Sequence, residues 1–450
     1  MRSSPAMIII TGILALALAG CGDSSKLPEQ ASHGPNPTIP EPVTSLIPTL
    51  HVAKAVGWPE GVKPKPAAGM NVNAFASGFD HPRWVYVLPN GDVLVAESNA
   101  PPKEQGGSGP RAWAQSIVMW WAGAKPKSAN RITLVRDKDG DGVGETKTVF
   151  LKDLMSPFGM ALIGDNLYVA NADAIVRFKY TEGATEITAP AEKVTDLPGG
   201  PLNHHWTKNI LPSKDGKKLF ATVGSNSNAA ENGMEAENMR AAILEVDLAN
   251  GNKRVFGAGL RNPNGMGLEP TTGELWTVVN ERDELGSDLV PDYLTSVKDG
   301  GFYGWPYSYW GKHVDTRVKP QNPELVAKAI VPDYALGNHV APLGMTFAQT
   351  SEGNTVKLPQ QFLSGVFVGE HGSWNRKPLS GYKVVFVPFA NGKPSANLPL
   401  DVLTGFISDE GKALGRPVGV TVAKDGALLV ADDVGNVIWR VTAGAQTSAK

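Results

Sequence analysis

The sequence holds a single cysteine among 450 residues. One thiol excludes an intrachain disulfide, a cysteine-built zinc or iron–sulfur site and a covalently attached haem, since each needs at least two. Excess charge of one sign is missing too. Forty-two basic residues against 44 acidic ones leave a formal net charge of −2, and with no basic run the electrostatic footprint of a nucleic-acid binder is absent. No apolar run reaches the roughly 18 residues that a bilayer-spanning helix requires. What abounds is glycine (50) and proline (35), the composition of many short strands joined by turns. Length alone suggests several domains, but closed all-β folds run long as single units.

The N-terminus has the order of an export signal. Arg2 supplies the positive charge, residues 7–18 the apolar stretch, and Leu18-Ala19-Gly20-Cys21 looks like a bacterial lipobox. Residues 1–20 are read as a lipoprotein signal peptide, with Cys21 as the lipidated residue; acylation accounts for the lone thiol. An ordinary signal peptide beside an incidental cysteine is the alternative. Residues 21–45, with Pro28, Pro35, Pro37, Pro40 and Pro42, read as an extended tether. The folded domain is expected over 46–445. The location that follows is the cell envelope, on the periplasmic side, with the membrane reached through the N-terminal lipid.

One phrase recurs six times: a Gly- or Asx-containing turn followed by an apolar strand. It is carried by Gly91-Asp92-Val93-Leu94-Val95-Ala96, Asp165-Asn166-Leu167-Tyr168-Val169-Ala170, Leu219-Phe220-Ala221-Thr222, Glu274-Leu275-Trp276-Thr277, Gly365-Val366-Phe367-Val368 and Ala427-Leu428-Leu429-Val430. Before each stands a shorter strand opening after proline, glycine or a polar cluster, beginning near His81, Ser156, Asn203, Arg261, Ala341 and Gly415. Paired phrases of this kind are antiparallel hairpins. Six of them, fifty to sixty residues apart, predict an all-β, six-bladed β-propeller.

This arrangement predicts where chemistry sits. The heads of the first strands and the ends of the second share one mouth of the axial channel. There Arg83, His204, Arg261, Asn262 and Arg416 meet Glu97, Asn171, Ser225, Asn280, Glu281, Glu370 and His371. A ring of convergent polar groups is a binding-site expectation, and its arginines suit an anionic planar ligand. If His204 and His205 lie in a strand, alternation lets only one face the axis.

Three runs, Asn203-His204, Leu260-Arg261-Asn262-Pro263-Asn264-Gly265 and Gly300-Gly301-Phe302-Tyr303-Gly304-Trp305-Pro306, resemble the soluble aldose and glucose dehydrogenases that use pyrroloquinoline quinone (PQQ). Asn280-Glu281-Arg282-Asp283, Pro342-Leu343-Gly344-Met345 and Gly369-Glu370-His371-Gly372-Ser373-Trp374-Asn375-Arg376 look more like the sorbosone dehydrogenase branch. The resemblance implies PQQ and Ca²⁺ as cofactors, a sugar or sugar-derived aldehyde as substrate and an external electron acceptor. It implies a catalytic base at His204, with Arg261 at the quinone oxygen. Asn262, Arg83 and Arg416 then contact the cofactor, with His371, Trp374 and Arg376 near the region that covers it. Calcium is expected near Glu281, Arg282 and Asp283, which replace the family's usual Gly-Pro loop.

Two features stand apart. Asp137-Lys138-Asp139-Gly140-Asp141-Gly142 spaces carboxylates at alternate positions, like a calcium loop, although the twelfth position is Thr148; an acidic turn is the alternative. Residues 112–124 carry Trp113, Ile117, Val118, Trp120 and Trp121 at near-helical spacing, inside an insertion at about 100–130 expected between the first and second blades. Because fold does not fix function, a lactone hydrolase and a non-catalytic binding propeller remain alternatives.

Overall fold

The computed structural model describes residues 22–44, 49–102, 121–123 and 127–444. Cys21 and the signal segment lie outside them, as does all of 112–124 except 121–123. The described chain is nearly all β and forms six sheets of four or more strands, antiparallel except where Gly301–Phe302 pairs parallel with Lys253–Ala258. The first blade comprises Pro82–Val87, Val93–Glu97, Arg131–Arg136 and Thr146–Leu151. Met160–Ile163, Asn166–Ala170, Ala174–Lys179 and Glu192–Asp196 make the second. The third starts at Ile210–Pro212, the fourth at Asn262–Leu268 and the fifth at Pro342–Phe347. In the sixth, Pro417–Val422, Leu428–Asp432 and Val437–Ala443 are joined by Met70–Ser77 from the other end of the domain, with Val72 opposite Val441.

Burial explains why the second strands read as unbroken apolar runs. Val93–Glu97, Gly365–Glu370 and Leu428–Asp432 are buried along their whole length, because each blade packs face to face on its neighbours and neither side of the strand meets water. The outermost strands, such as Thr146–Leu151 and Lys253–Ala258, alternate or stand open. Gly344 and Gly369 meet the next blade closely: a Cβ on either would come within 2.5 Å of the Val418 carbonyl.

Three expectations need correction. The insertion falls inside the first blade, between Val93–Glu97 and Arg131–Arg136, not between blades. Asn203-His204-His205-Trp206 is not a strand head; the third blade's first strand begins at Ile210, and the histidines lie in the loop before it. The Pro-rich segment is not a free tether. His33–Gly34 pairs antiparallel with Tyr334–Asn338 and adds an outer strand to the fourth blade. The Asp23 amide donates to Thr49 Oγ1 at 2.8 Å and the Ser287 amide to Asp23 Oδ2 at 2.8 Å, while Ser25 Oγ donates to Asp288 at 2.5 Å. Beyond it, 49–58 runs across the same end of the ring. The His51 amide donates to the Trp374 carbonyl at 3.0 Å, and the Trp58 indole donates to Asp432 Oδ2 at 2.6 Å. Among the described residues no helix is long and apolar enough to cross a membrane.

Candidate active site

The mouth of the channel where first strands begin holds two polar groups of residues. One lies where the sixth, first and fifth blades meet. Asp433, just past the end of Leu428–Asp432, bonds Arg83 Nη1, accepts from His371 Nε2 at 2.9 Å and stands 3.5 Å from His81 Nε2. All are buried or nearly so. Burial pushes the Asp433 carboxyl up, but His371, His81 and Arg83 outweigh it and hold it well below the usual carboxylate range. Burial likewise pulls His371 down to about 4, against the attraction of Asp433. Arg416 is fixed beside them: its Nη2 donates to Tyr382 Oη at 3.1 Å, and its amide donates to Asp432 Oδ1 at 2.8 Å.

The other group belongs to the third and fourth blades. His205 is half-buried, and its Nδ1 lies 2.8 Å from the Ser225 carbonyl and 3.0 Å from Ser225 Oγ. A carbonyl only accepts, so Nδ1 carries the proton and Nε2 keeps its lone pair. Burial, reinforced by Arg261 and His204, holds this imidazole well below its ordinary value and so neutral. His204 is exposed and packs edge-on against His205 with ring centroids 4.6 Å apart. Gly224 makes room for the arrangement, since a Cβ there would stand 2.5 Å from both Asn262 Oδ1 and His205 Cβ. The loop is braced from beneath by the buried Lys208, whose Nζ reaches the His205 and Trp206 carbonyls at 3.2 Å.

The expected site residues divide clearly. Arg83, His371, Arg416 and Asn262 converge on the mouth, whereas His204, the expected base, is exposed and its neighbour His205 takes the inner position. Arg261 lies beside them, but its guanidinium is committed to the Glu281 carbonyl at 2.6 Å, Asn228 Oδ1 at 3.0 Å and Asp283 Oδ2 at 2.9 Å. It acts on the site through its field, not as a free donor. Trp374 is 41% exposed on the rim. Arg376 is turned away, donating to the Ser287 and Pro378 carbonyls and to Ser25 Oγ, so it ties down the N-terminal segment. The Gly300–Pro306 run is a brace: Trp305 Nε1 donates to the Asn228 carbonyl at 2.9 Å, and Tyr303 Oη to the Ser296 carbonyl at 2.6 Å. Asp433 and His81 escaped the sequence reading. A signal for Asp433 existed, because it ends the sixth repeat where Glu370-His371 end the fifth.

The donor set fits a planar polyanion. Arg83 Nε, Arg416 Nε and Asn262 Oδ1 are buried without a partner, and buried polar atoms left unpaired are costly unless a bound group satisfies them. Arg83 and Arg416 supply cationic forks suited to carboxylates, so the residues present fit PQQ. Calcium at 281–283 does not fit. The Arg282 guanidinium is fully buried in ion pairs with Glu281 and Asp315, both at 3.0 Å, and Asp283 is taken by Arg261 and Asn375. The acidic loop does gather carboxylates: ligand atoms of Asp137, Asp139, Asp141 and Glu145 lie within 4.8 Å of one another. That loop joins Arg131–Arg136 to Thr146–Leu151 on the hairpin-turn face, and the opposite mouth holds the arginines. The channel space of about 670 Å³, open solvent included, lies between Trp84, Met160, Met266, Phe347 and Val420 toward that turn face. It is lined mainly by apolar side chains and backbone, so the chemistry belongs to the other end.

Known proteins share this architecture. The AA12 carbohydrate-active enzyme of Trichoderma reesei superposes with a TM-score of 0.67 at 19% identity, covering 88% of this chain and 99% of that one. The PQQ domain of the Coprinopsis cinerea pyranose dehydrogenase gives 0.65 at 22% identity, covering 87% and 100%. In sequence, the PQQ-dependent pyranose dehydrogenase of C. cinerea is 25% identical over 363 residues, covering 67% of this chain; the match spans about half of the fungal enzyme (48%). A protein of Borreliella burgdorferi with no assigned role is 28% identical over 336 residues, 68% of this chain and 84% of that protein. The TrAA12-like family model matches residues 127–293 and 315–444, more than half the length. On that match, and with the six blades it accompanies, the chain belongs to the TrAA12-like family of PQQ-dependent sugar dehydrogenase relatives.

Proposed function

We propose that the protein is a PQQ-dependent dehydrogenase that oxidises an aldose or a sugar-derived aldehyde, of which sorbosone is one. The observation that carries this is the juxtaposition, at one mouth, of unpartnered buried arginine nitrogens with a histidine whose tautomer is pinned. When bound, PQQ supplies a two-electron acceptor for hydride. Arg83, Arg416 and Asn262 would hold and orient that group through their open donors and acceptor. His205 Nε2 takes the proton from the substrate hydroxyl, that of a lactol or an aldehyde hydrate, as the C–H hydride departs. Base catalysis of this kind is typically worth about 10²–10⁴-fold. The resemblance pointed to His204 as the base; the pinned tautomer and the neighbouring Arg261 favour its neighbour. Arg261 adds a fixed positive field where negative charge develops.

No step here runs through calcium. A lactone hydrolase of propeller type would want axial carboxylates around a metal, and among the described residues the only such acidic cluster is at Asp137 on the far face. The reading extends to location: acylation at Cys21 places the enzyme on the periplasmic side of an envelope membrane, where it passes electrons to an external acceptor. The test is to add PQQ, without NAD, to apo-protein and follow reduction of an artificial dye with aldoses and aldehydes. Dye reduction that requires PQQ supports the proposal. Undetectable PQQ binding at micromolar concentration, or activity with NAD alone, overturns it.

A further inference from the structure

The described chain begins at Gly22, and its first residues are tied to the same end of the ring as the candidate site. Asp23 bonds Thr49 and Ser287, and Lys26 and Ser25 bond Asp288, in the loop that follows Leu275–Asn280. That loop opens at the mouth, because the second strands end there. Gly22 and Asp23, which follow Cys21 in the sequence, are thus fixed at the mouth's rim. The same face carries a second mark. Of the sixteen large apolar side chains that stand exposed among the described residues, six are grouped there. Leu50, Val56 and Trp121 sit on the segments crossing the ring, and Leu202, Met234 and Trp374 on the loops around the mouth. Others, such as Val149, Val255 and Leu398, stand apart from it on outer strands and turn-face loops. A concentration of exposed apolar groups on one face marks an interaction surface.

We infer that this apolar rim rests on the lipid bilayer into which the Cys21 acyl chains insert, so that the mouth of the channel faces the membrane surface. The inference rests on the lipid-anchoring reading above. A docked N-terminal segment leaves no slack for the domain to turn over, unlike the free tether expected from composition.

The test uses the full-length, exported protein reconstituted in vesicles of phosphatidylethanolamine and phosphatidylglycerol containing doxyl-labelled lipid. Two positions of matched exposure, Met234 on the mouth face (45%) and Leu398 on the turn face (42%), are changed singly to Met234→Cys and Leu398→Cys and labelled with a thiol-reactive fluorophore. An acylated Cys21 has no free thiol, so the wild type takes up no label. The expected result is flotation of all three proteins with the vesicles and strong doxyl quenching at 234 but not at 398. Flotation with equal quenching, or stronger quenching at 398, overturns the orientation while leaving the anchor intact. Loss of flotation, or labelling of the wild type, overturns the anchor and the orientation with it.

Discussion

Glu370→Gln should stabilise this protein, by an amount that grows with pH. Glu370 ends the Gly365–Glu370 strand with 0% of its surface exposed, and neither carboxyl oxygen has a partner. Burial, joined by Asp401 and Asp292 against the attraction of Lys383, raises it from 4.5 to about 8. The folded state therefore holds a proton that the unfolded chain releases above pH 4.5. Where the native state binds more protons, stability falls as pH rises. At about 1.36 kcal/mol per unit, the wild type loses about 3 kcal/mol by pH 7 and about 5 above pH 8. Glutamine keeps the neutral shape and loses nothing. Thermal midpoints of both proteins, followed by tryptophan fluorescence from pH 4.5 to 8.5, should coincide at the acid end and diverge steadily, glutamine higher. A constant offset across that range, or a less stable glutamine variant at pH 8, would refute the reasoning; other titrating groups are common to both proteins and cancel in the difference.

Four further outcomes follow from the site and the segment that crosses it. His205→Ala should lower kcat by about 10²–10⁴-fold with PQQ still bound, and His204→Ala much less; the reverse in stopped-flow turnover would return the base to His204. Asp433→Asn leaves the Arg83 guanidinium buried without its counter-charge and should cost about 3–5 kcal/mol in urea unfolding. His371, neutral in the fold because its value falls to about 4, must gain a proton on unfolding anywhere between pH 4 and 6.5. Through His371, acidification across that window should remove about 3 kcal/mol of stability, and His371→Gln should take that share out of the slope and leave the part due to His205 and the other buried histidines. Trp58→Phe deletes the 2.6 Å bond to Asp432 and should lower stability by about 1.5–3 kcal/mol, the range for hydrogen bonds to charged groups.

The sequence read most truly where local patterning and long-range packing agree. The second strand of every blade was visible because burial on both faces enforces an unbroken apolar run beside a Gly or Asx turn. The first strand of the third blade was misplaced: Asn203-His204-His205-Trp206 resembles the other strand heads, yet Lys208 and Asn209 are buried in the loop, so pairing starts only at Ile210. The site was legible as a ring of types but not as partners. Arg83 and Asp433 lie 350 positions apart, and His371 and Asp433 lie 62 apart; nothing local records such pairings. Composition also misjudged residues 22–44, since a Pro-rich polar segment can still add a strand when an open sheet edge offers backbone partners.

The pairing of Met70–Ser77 with Val437–Ala443 has a consequence for the order of assembly. Strands of the other five blades that stack on the axis are close in sequence and can zip as the chain emerges. The sixth blade waits, because its outer strand is made near the start and its partner almost last. Until Pro417–Ala443 arrives, the apolar flanks of the first and fifth blades face no neighbour, and the ring is an open horseshoe prone to sticking. A chain cut short before Pro417 should therefore lose the whole ring rather than one edge, and the chain needs protection until its final strands are made.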